Sequence, residues 1–305
     1  MIVTRAPLRI SLAGGGTDIP AWYKDHGSMF VSAAINKYVY VTFYRTPFFP
    51  HIHLKYSETE TVEKLDDIKH DIIRETLRLH NINDHIEIVS HADIPAGTGL
   101  GSSGSFGVAL SLALESIHPD IESTHVQMDI LNHPIGWQDQ LATYHGGITQ
   151  YEIDKSGGRV IRPLPDRLDD LKNYLAMFYT GYTRSANEVL SRQSLDGLEK
   201  VQELAYQSLT ALKARDWERY GRLMDEHWTF KKLRGGMSNL AIDGYYDQAR
   251  QAGAWGGKLV GAGGGGFLLF VTPDKEKLIR SMPLLHLPFE FDYEGAKVIA
   301  DENIR

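Results

Sequence analysis

Residues 94–114 read IPAGTGLGSSGSFGVALSLAL, a run of small residues that passes without a polar break into an almost wholly apolar stretch. A loop with so little side chain holds its place only if the segment after it is anchored. Residues 104–117 are apolar nearly all round, the composition of a helix buried on every side. The stretch therefore demands a core that can surround a helix, and a chain of 305 residues with 42% hydrophobic residues can supply one. Glycines ahead of a helix leave backbone N–H groups open to a ligand at the positive end of the helix dipole, which is an anion site, and Ser102 and Ser103 fall at the cap positions.

The rest of the chain mixes strands and helices. RISLA (9–13), KYVYVTFYR (37–45) and HIEIVSH (85–91) have the β-branched and aromatic content of strands, and residues 66–81 carry apolar side chains at helical spacing. A turn-rich segment at 157–171 precedes an expected strand at 174–181, long helices over 185–234 and 238–252, the glycine-interrupted GKLVGAGGGGFLLFVTP, and a last strand near PFEFDY. There is no regular βαβ alternation, so the expected class is α+β in two lobes, divided as 1–168 and 169–305.

Composition narrows the function. A formal net charge of −7 argues against nucleic acid as a partner, and the absence of cysteine removes thiol chemistry and thiolate metal sites. The longest apolar runs, such as FLLFV at 267–271, are far below the roughly 20 residues that span a bilayer, and the N-terminus lacks a signal-peptide core. The expectation is a cytoplasmic protein with small-molecule partners and no membrane.

Gly99, Gly101 and Gly104 match G-x-G-x-x-G, the dinucleotide fingerprint, but the first glycine does not follow a strand directly, since residues 91–98 intervene after Ser90. No Gly-Lys-Ser/Thr occurs here, so the P-loop pattern fails as well. A cradle of backbone donors for phosphate remains, weighed against plain tight turns with helix caps. A second cluster, Gly263 to Gly266, lies between two expected strands and is placed to close over the same ligand. Two further clusters are APLRISLAGGGTD, with Arg9 and Asp18, and PIGWQDQ, with Asp139.

In this order the four clusters resemble those of the GHMP sugar and metabolite kinases. Residues 6–18 look like the first family motif, Pro95 to Ser103 reads P-x-x-x-G-L-G-S-S without a mismatch, and Gly261 to Gly266 looks like the third. Within that superfamily, RAPLRISLAGGGTD, IGWQDQ, KLVGAGGGGFLLF and LPFEFDYEGAKVI most resemble the D-glycero-D-manno-heptose 7-phosphate 1-kinases. The resemblance implies an S5-like N-terminal lobe, a ferredoxin-like C-terminal lobe, and ATP, Mg²⁺ and a sugar phosphate in the cleft between; it leaves the oligomeric state open, a homodimer included. It assigns Asp139 and Arg9 to catalysis, and Pro95, Gly97, Gly99, Gly101, Ser102, Ser103 and Gly104 to the nucleotide. Gly15, Gly16, Thr17, Asp18, Gly263 and Gly264 fall to the substrate, and Ser103 also to the metal.

One position departs from the pattern. Where the family usually carries a metal-binding glutamate, about twelve residues before the catalytic aspartate, this chain has Gln127, with Asp129 two residues on. A neutral amide is a poor Mg²⁺ ligand beside a carboxylate, so either Asp129 substitutes, or metal binding is weakened, or the alignment slips. For the 7-phosphate, Arg184 and Lys231 are favoured among Lys37, Arg184, Arg192, Lys231 and Lys232. The expected reaction is phosphorylation of an anomeric hydroxyl; the alternatives are a galactose- or fucose-type kinase, or a ligand-binding relative that lost the metal site.

Overall fold

The computed structural model describes residues 1–164, 166–183 and 194–302. Its backbone is the antiparallel pairing of β1 (Ile2–Ala13) with β2 (Ser28–Arg45), which flank α1 (Pro20–His26). Along the second half of β2 the side chains alternate, so that Val39, Val41 and Phe43 enter the core. Next come β3 (Ile52–Lys55), β4 (Thr59–Val62), α2 (Asp71–Leu79), β5 (Ile86–Ala92), α3 (Ser102–Ala113) and α4 (Pro119–Thr124). A π-helical turn at His125–Ile130 leads on to α5 (Gln138–His145), β6 (Ile148–Ile153) and β7 (Arg159–Pro163). The remaining elements are β8 (Leu175–Tyr179), α6 (Leu198–Ala214), α7 (Trp217–Leu233), α8 (Leu240–Gln251), β9 (Gly256–Leu259), β10 (Phe267–Val271), α9 (Lys275–Ser281), β11 (Leu285–His286) and β12 (Lys297–Asp301).

The first sheet runs β12-β1-β2-β5-β3-β4, with β6 and β7 continuing from the first half of β2, and its pairs are antiparallel except β3 with β5. The apolar helix α3 lies against it, tied down by hydroxyls that satisfy buried carbonyls: Thr4 Oγ1 donates to the Ala109 carbonyl at 2.8 Å and Ser105 Oγ to that of Pro7 at 2.8 Å. The second sheet runs β11-β8-β10-β9, antiparallel throughout. Numbered within this half, its strands lie in the order 4-1-3-2 of a βαββαβ unit, the ferredoxin-like arrangement. The α+β class holds.

Local chemistry moves several expected boundaries. The helix expected over 66–81 begins at Asp71, because the His70 imidazole accepts the Ile73 N–H and caps it there, and a 3₁₀ turn at Leu65–Asp67 precedes it. Of the helical stretch expected over 185–234, the described part is broken at Arg215, which adopts a left-handed conformation, and restarts with Asp216 as cap. The strand expected at PFEFDY is only a single bridge, Ile35 with Phe291. There Asp292 turns the chain, its Oδ1 accepting the N–H groups of Glu294 and Gly295, and pairing passes to Lys297–Asp301 beside β1. A cut between 168 and 169 thus leaves one strand of the first sheet in the second half.

Candidate active site

The phosphate-loop segment enters α3 through Gly101, which is itself the N-cap, in a left-handed conformation (φ 80°) with no side-chain hydrogen bond. This corrects the expected capping role of Ser102 and Ser103, which lie inside the first turn and do not bond to its N–H groups. The third glycine cluster packs backbone to backbone on this loop. A Cβ on Gly261 would stand 2.4 Å from Gly99, and one on Gly266 would stand 2.0 Å from the Thr98 carbonyl oxygen. Only glycine permits that approach. Lys231 Nζ fastens the same loop, donating to the carbonyls of Leu259 (3.0 Å) and Gly261.

Arg9 projects from β1 to the same point. Its N–H donates to the Leu100 carbonyl at 2.9 Å and its Nη1 to the Gly99 carbonyl at 2.6 Å, so the strand holds the loop through backbone and side chain alike. Its Nε and Nη2 both meet Asp139 Oδ1, at 2.7 and 2.6 Å. Asp139 stands in the first turn of α5, where the helix dipole favours a carboxylate. The N-termini of α3 and α5 come this close because residue 104 is glycine: a Cβ there would lie 2.5 Å from that of Asp139. Asp139 Oδ2 has no protein partner among the described residues, and the residue lines the cleft.

Asp18 braces the next position along. Its Oδ1 accepts the Gly16 N–H at 3.1 Å and its Oδ2 the Gln138 N–H at 3.0 Å, which fixes the residue before Asp139. Burial, and after it the neighbouring Asp139 charge, hold the Asp18 carboxyl above the usual range against the pull of those N–H donors. Gln138 Nε2 also donates to Ser11 Oγ at 3.1 Å.

These residues line one cleft of about 690 Å³, within the usual range for small-molecule sites. It brings together Arg9, Gly15, Gly16, Asp18, Pro95, Gly97, Gly99, Gly101, Ser102, Ser103, Gly104, Gln127, Asp139, Lys231 and Gly263. Of the expected substrate residues that the structure describes, Thr17 and Gly264 lie off it. Thr17 is turned inward, its hydroxyl donating to the Gly14 carbonyl and meeting Ser28, and Gly264 gives its N–H to the Met237 carbonyl. Arg184 and Arg192 lie outside the described residues.

The choice between Gln127 and Asp129 has a geometric answer. The wide turn at His125–Ile130 points Gln127 inward, where its Oε1 accepts from Ser103 Oγ at 2.7 Å while its Nε2 donates to Ser123 Oγ at 3.1 Å. Asp129 faces solvent, paired with His125 at 2.8 Å. The group beside Ser103 is therefore an amide, and Asp129 is corrected out of the cleft. Among the described residues no group of three or more histidine or acidic side chains is arranged to hold a metal.

Sequence reasoning named Lys231 but missed the buried basic residues that accompany it on the cleft floor, His227, Arg234 and Lys258. His227, Lys231 and Arg234 succeed one another at helical spacing from α7 into its C-cap, and Lys258 comes from β9. Burial, then the charges of Arg9 and Arg234, push the Lys258 ammonium down to about 7. Burial alone moves Arg234 down to about 10, and His227 and Lys231 are shifted down for the same reason, reinforced by their cationic neighbours. The i, i+4, i+7 spacing of 227, 231 and 234 was the available signal. At the other end of the cleft Val39, Tyr56, His70 and Phe106 form a mixed apolar and aromatic wall.

Residues 68–147 match the GHMP kinases N terminal domain and residues 208–282 match GHMP kinases C terminal, together just over half of the chain. The D-glycero-alpha-D-manno-heptose 7-phosphate kinase of Campylobacter jejuni subsp. jejuni serotype O:2 is 27% identical over 338 residues, which cover 97% of this chain and 98% of that one. An L-fucokinase/L-fucose-1-P guanylyltransferase of Bacteroides fragilis is also 27% identical, over 92% of this chain and 35% of its own length. The crystal structure of a D-glycero-D-manno-heptose 1-phosphate kinase from Bacteroides thetaiotaomicron has the same fold, with a TM-score of 0.81 at 24% identity over 99% of each chain. With both family domains in place and a glycine loop on a helix N-terminus beside Asp139, this chain belongs to the GHMP kinases and is an ATP-dependent kinase.

Proposed function

We propose that this kinase transfers the γ-phosphoryl group of ATP to the anomeric hydroxyl of D-glycero-D-manno-heptose 7-phosphate, giving the 1,7-bisphosphate. The observation that carries the reading is the Arg9–Asp139 pair at the junction of the phosphate loop and α5, in which one carboxylate oxygen is held and the other has no protein partner among the described residues, at a residue that lines the cleft. Full-length similarity to the heptose 7-phosphate kinase supports the choice of sugar.

In this reading the triphosphate lies on the backbone N–H groups of residues 99–104, and the base extends toward Val39, Tyr56 and His70. Asp139 Oδ2 takes the proton of the attacking hydroxyl. Arg9 keeps Asp139 in place and, as a buried cation, stabilises the charge that develops on the hydroxyl and the transferring group. Asp18, Gly15, Gly16 and Gln138 orient the remaining hydroxyls. ATP and a sugar phosphate as substrates suit a cytoplasmic enzyme, and no helix of the described residues is long and apolar enough to cross a membrane.

Mg²⁺ is the metal the fold implies, but the donors beside the loop do not fit it well. Mg²⁺ prefers carboxylate and phosphate oxygens, whereas Ser103 Oγ is given to the neutral Gln127 amide. The same feature favours the second reading, a ligand-binding relative with impaired catalysis. Incubation with ATP, Mg²⁺ and a panel of free and phosphorylated sugars decides between them: ADP formed with the heptose 7-phosphate supports the kinase reading, and no ADP from any sugar overturns it.

A further inference from the structure

Arg234 is the one cation of the cleft floor whose position calls for a ligand. It is 6% exposed, it lines the cleft, and its Nε and Nη2 have no hydrogen-bond partner among the described residues. Leaving two donors of a buried guanidinium unpaired is costly, and such groups are otherwise paired almost without exception. Lys231, one turn earlier, is already committed to the carbonyls of Leu259 and Gly261, and Arg9 to Asp139 and Gly99. The guanidinium stands against the first glycine cluster, where a Cβ on Gly16 would come within 2.9 Å of its Nη1. From there contacts run to the transfer point: Gly16 to Asp18, Asp18 to Gln138, and Gln138 to its neighbour Asp139. Arg234 is thus joined to the transfer point through the first glycine motif, on the side that Asp18 and Gln138 occupy.

We infer that Arg234, with Lys258 beside it, binds a phosphate monoester carried by the acceptor at a position remote from the hydroxyl that is phosphorylated. The inference rests on the sugar-kinase reading above. A guanidinium offering two N–H groups in one plane matches a phosphate in the bidentate mode, and the second cation matches the second charge of a dianion, which a carboxylate would leave uncompensated. Arg234 then sets specificity: a neutral sugar leaves its donors desolvated and unpaired, so it is rejected even where its hydroxyls fit. Arg234 also caps α7, where a cation complements the helix dipole, but a role limited to the dipole needs no burial and leaves no donors idle.

The test compares wild type with Arg234→Met and Arg234→Lys. With the nucleotide site filled by a non-hydrolysable ATP analogue, inorganic phosphate is titrated by calorimetry. Wild type should bind it, Arg234→Met should lose at least tenfold in affinity, and Arg234→Lys should fall between. Affinity for the ATP analogue should be equal in all three, which also shows that they are folded. In turnover, kcat/KM for mannose 6-phosphate and heptose 7-phosphate should exceed that for mannose and the free heptose, and Arg234→Met should remove the preference mainly through KM. Phosphate binding that survives in Arg234→Met, or is absent from wild type, overturns the inference. Efficient turnover of a neutral sugar, or mevalonate as the preferred acceptor, overturns it while leaving a kinase intact. If no sugar yields ADP, the sugar-kinase reading fails, and the phosphate titration decides the role of Arg234 by itself.

Discussion

The Arg9 guanidinium places two of its nitrogens, at 2.7 and 2.6 Å, on the same carboxylate oxygen of Asp139. One oxygen is pinned and the other left for chemistry, so the pair acts as a unit. Asp139→Asn should lower kcat by about 10²–10⁴ with ATP affinity nearly unchanged. Arg9→Met should depress kcat by about 10²–10³. In the proposed mechanism both serve one proton transfer, so the double variant should lose much less than the product of the single losses. Steady-state kinetics on the four proteins tests this, and fully multiplicative losses would show that the residues work independently.

The Ser103–Gln127 contact makes a prediction about the metal. Gln127→Glu supplies a carboxylate where the wide turn already points inward, and it should lower the Mg²⁺ concentration needed for half-maximal rate. Asp129→Asn, on the solvent side, should leave that concentration unchanged. Metal titration of both variants is the check; sensitivity confined to Asp129 would mean that the turn rearranges when nucleotide binds.

Backbone contact between the two glycine loops makes a third prediction. Gly266→Ala forces a methyl group to within 2.0 Å of the Thr98 carbonyl at a φ of 97°. Overpacking of this kind costs about 1–3 kcal/mol, so the melting temperature should fall. The rise in melting temperature produced by ATP should shrink as well, since in the proposed reading the displaced loop is the one that binds it. A variant with the full ATP-induced rise would separate the third cluster from nucleotide binding.

Lys258 gives stability a defined pH dependence. Burial, with Arg9 and Arg234 facing it, lowers its ammonium from 10.5 to about 7. Between those values the unfolded chain holds a proton that the folded protein has released, so on account of this group stability rises with pH across the window and the full cost is felt below 7. Lys258→Met should therefore be more stable than wild type at pH 6, by an amount on the order of a few kcal/mol, and the gap should narrow toward pH 10. Urea unfolding at several pH values measures it; a variant less stable than wild type at pH 6 would count against the assignment.

Much of the site could be read from the chain because it is built from backbone. Gly99, Gly101 and Gly104 announce a loop that needs close approach, and an apolar helix after it announces the anchor, whatever the surroundings. The features that escaped the sequence depend on tertiary direction. Ser102 and Ser103 have good capping side chains, yet Gly101 takes the cap and Ser103 turns to Gln127, a partner 24 residues away. Gln127 and Asp129 could not be separated because an ordinary helical period does not apply within a π-helical turn. Arg234 in KKLRGG shares a helical spacing with His227 and Lys231, as many helix-end cations do with their neighbours, and burial against the first glycine motif is what sets it apart. The strand expected at PFEFDY failed because the Asp292 turn competes with pairing there, and the true strand, KVIAD, is short and largely exposed.

That short strand, Lys297–Asp301, pairs with the outer edge of β1, which begins at Ile2. Two segments far apart in sequence are thus zipped together, and β1 keeps an open edge during synthesis until residues 297–301 have been made. Pairing of such wide sequence separation forms late, since its loop-closure cost must be met before the contacts reward it. During synthesis β1 consequently stays half-paired, an adhesive edge that has to be kept from other chains until residue 301 emerges.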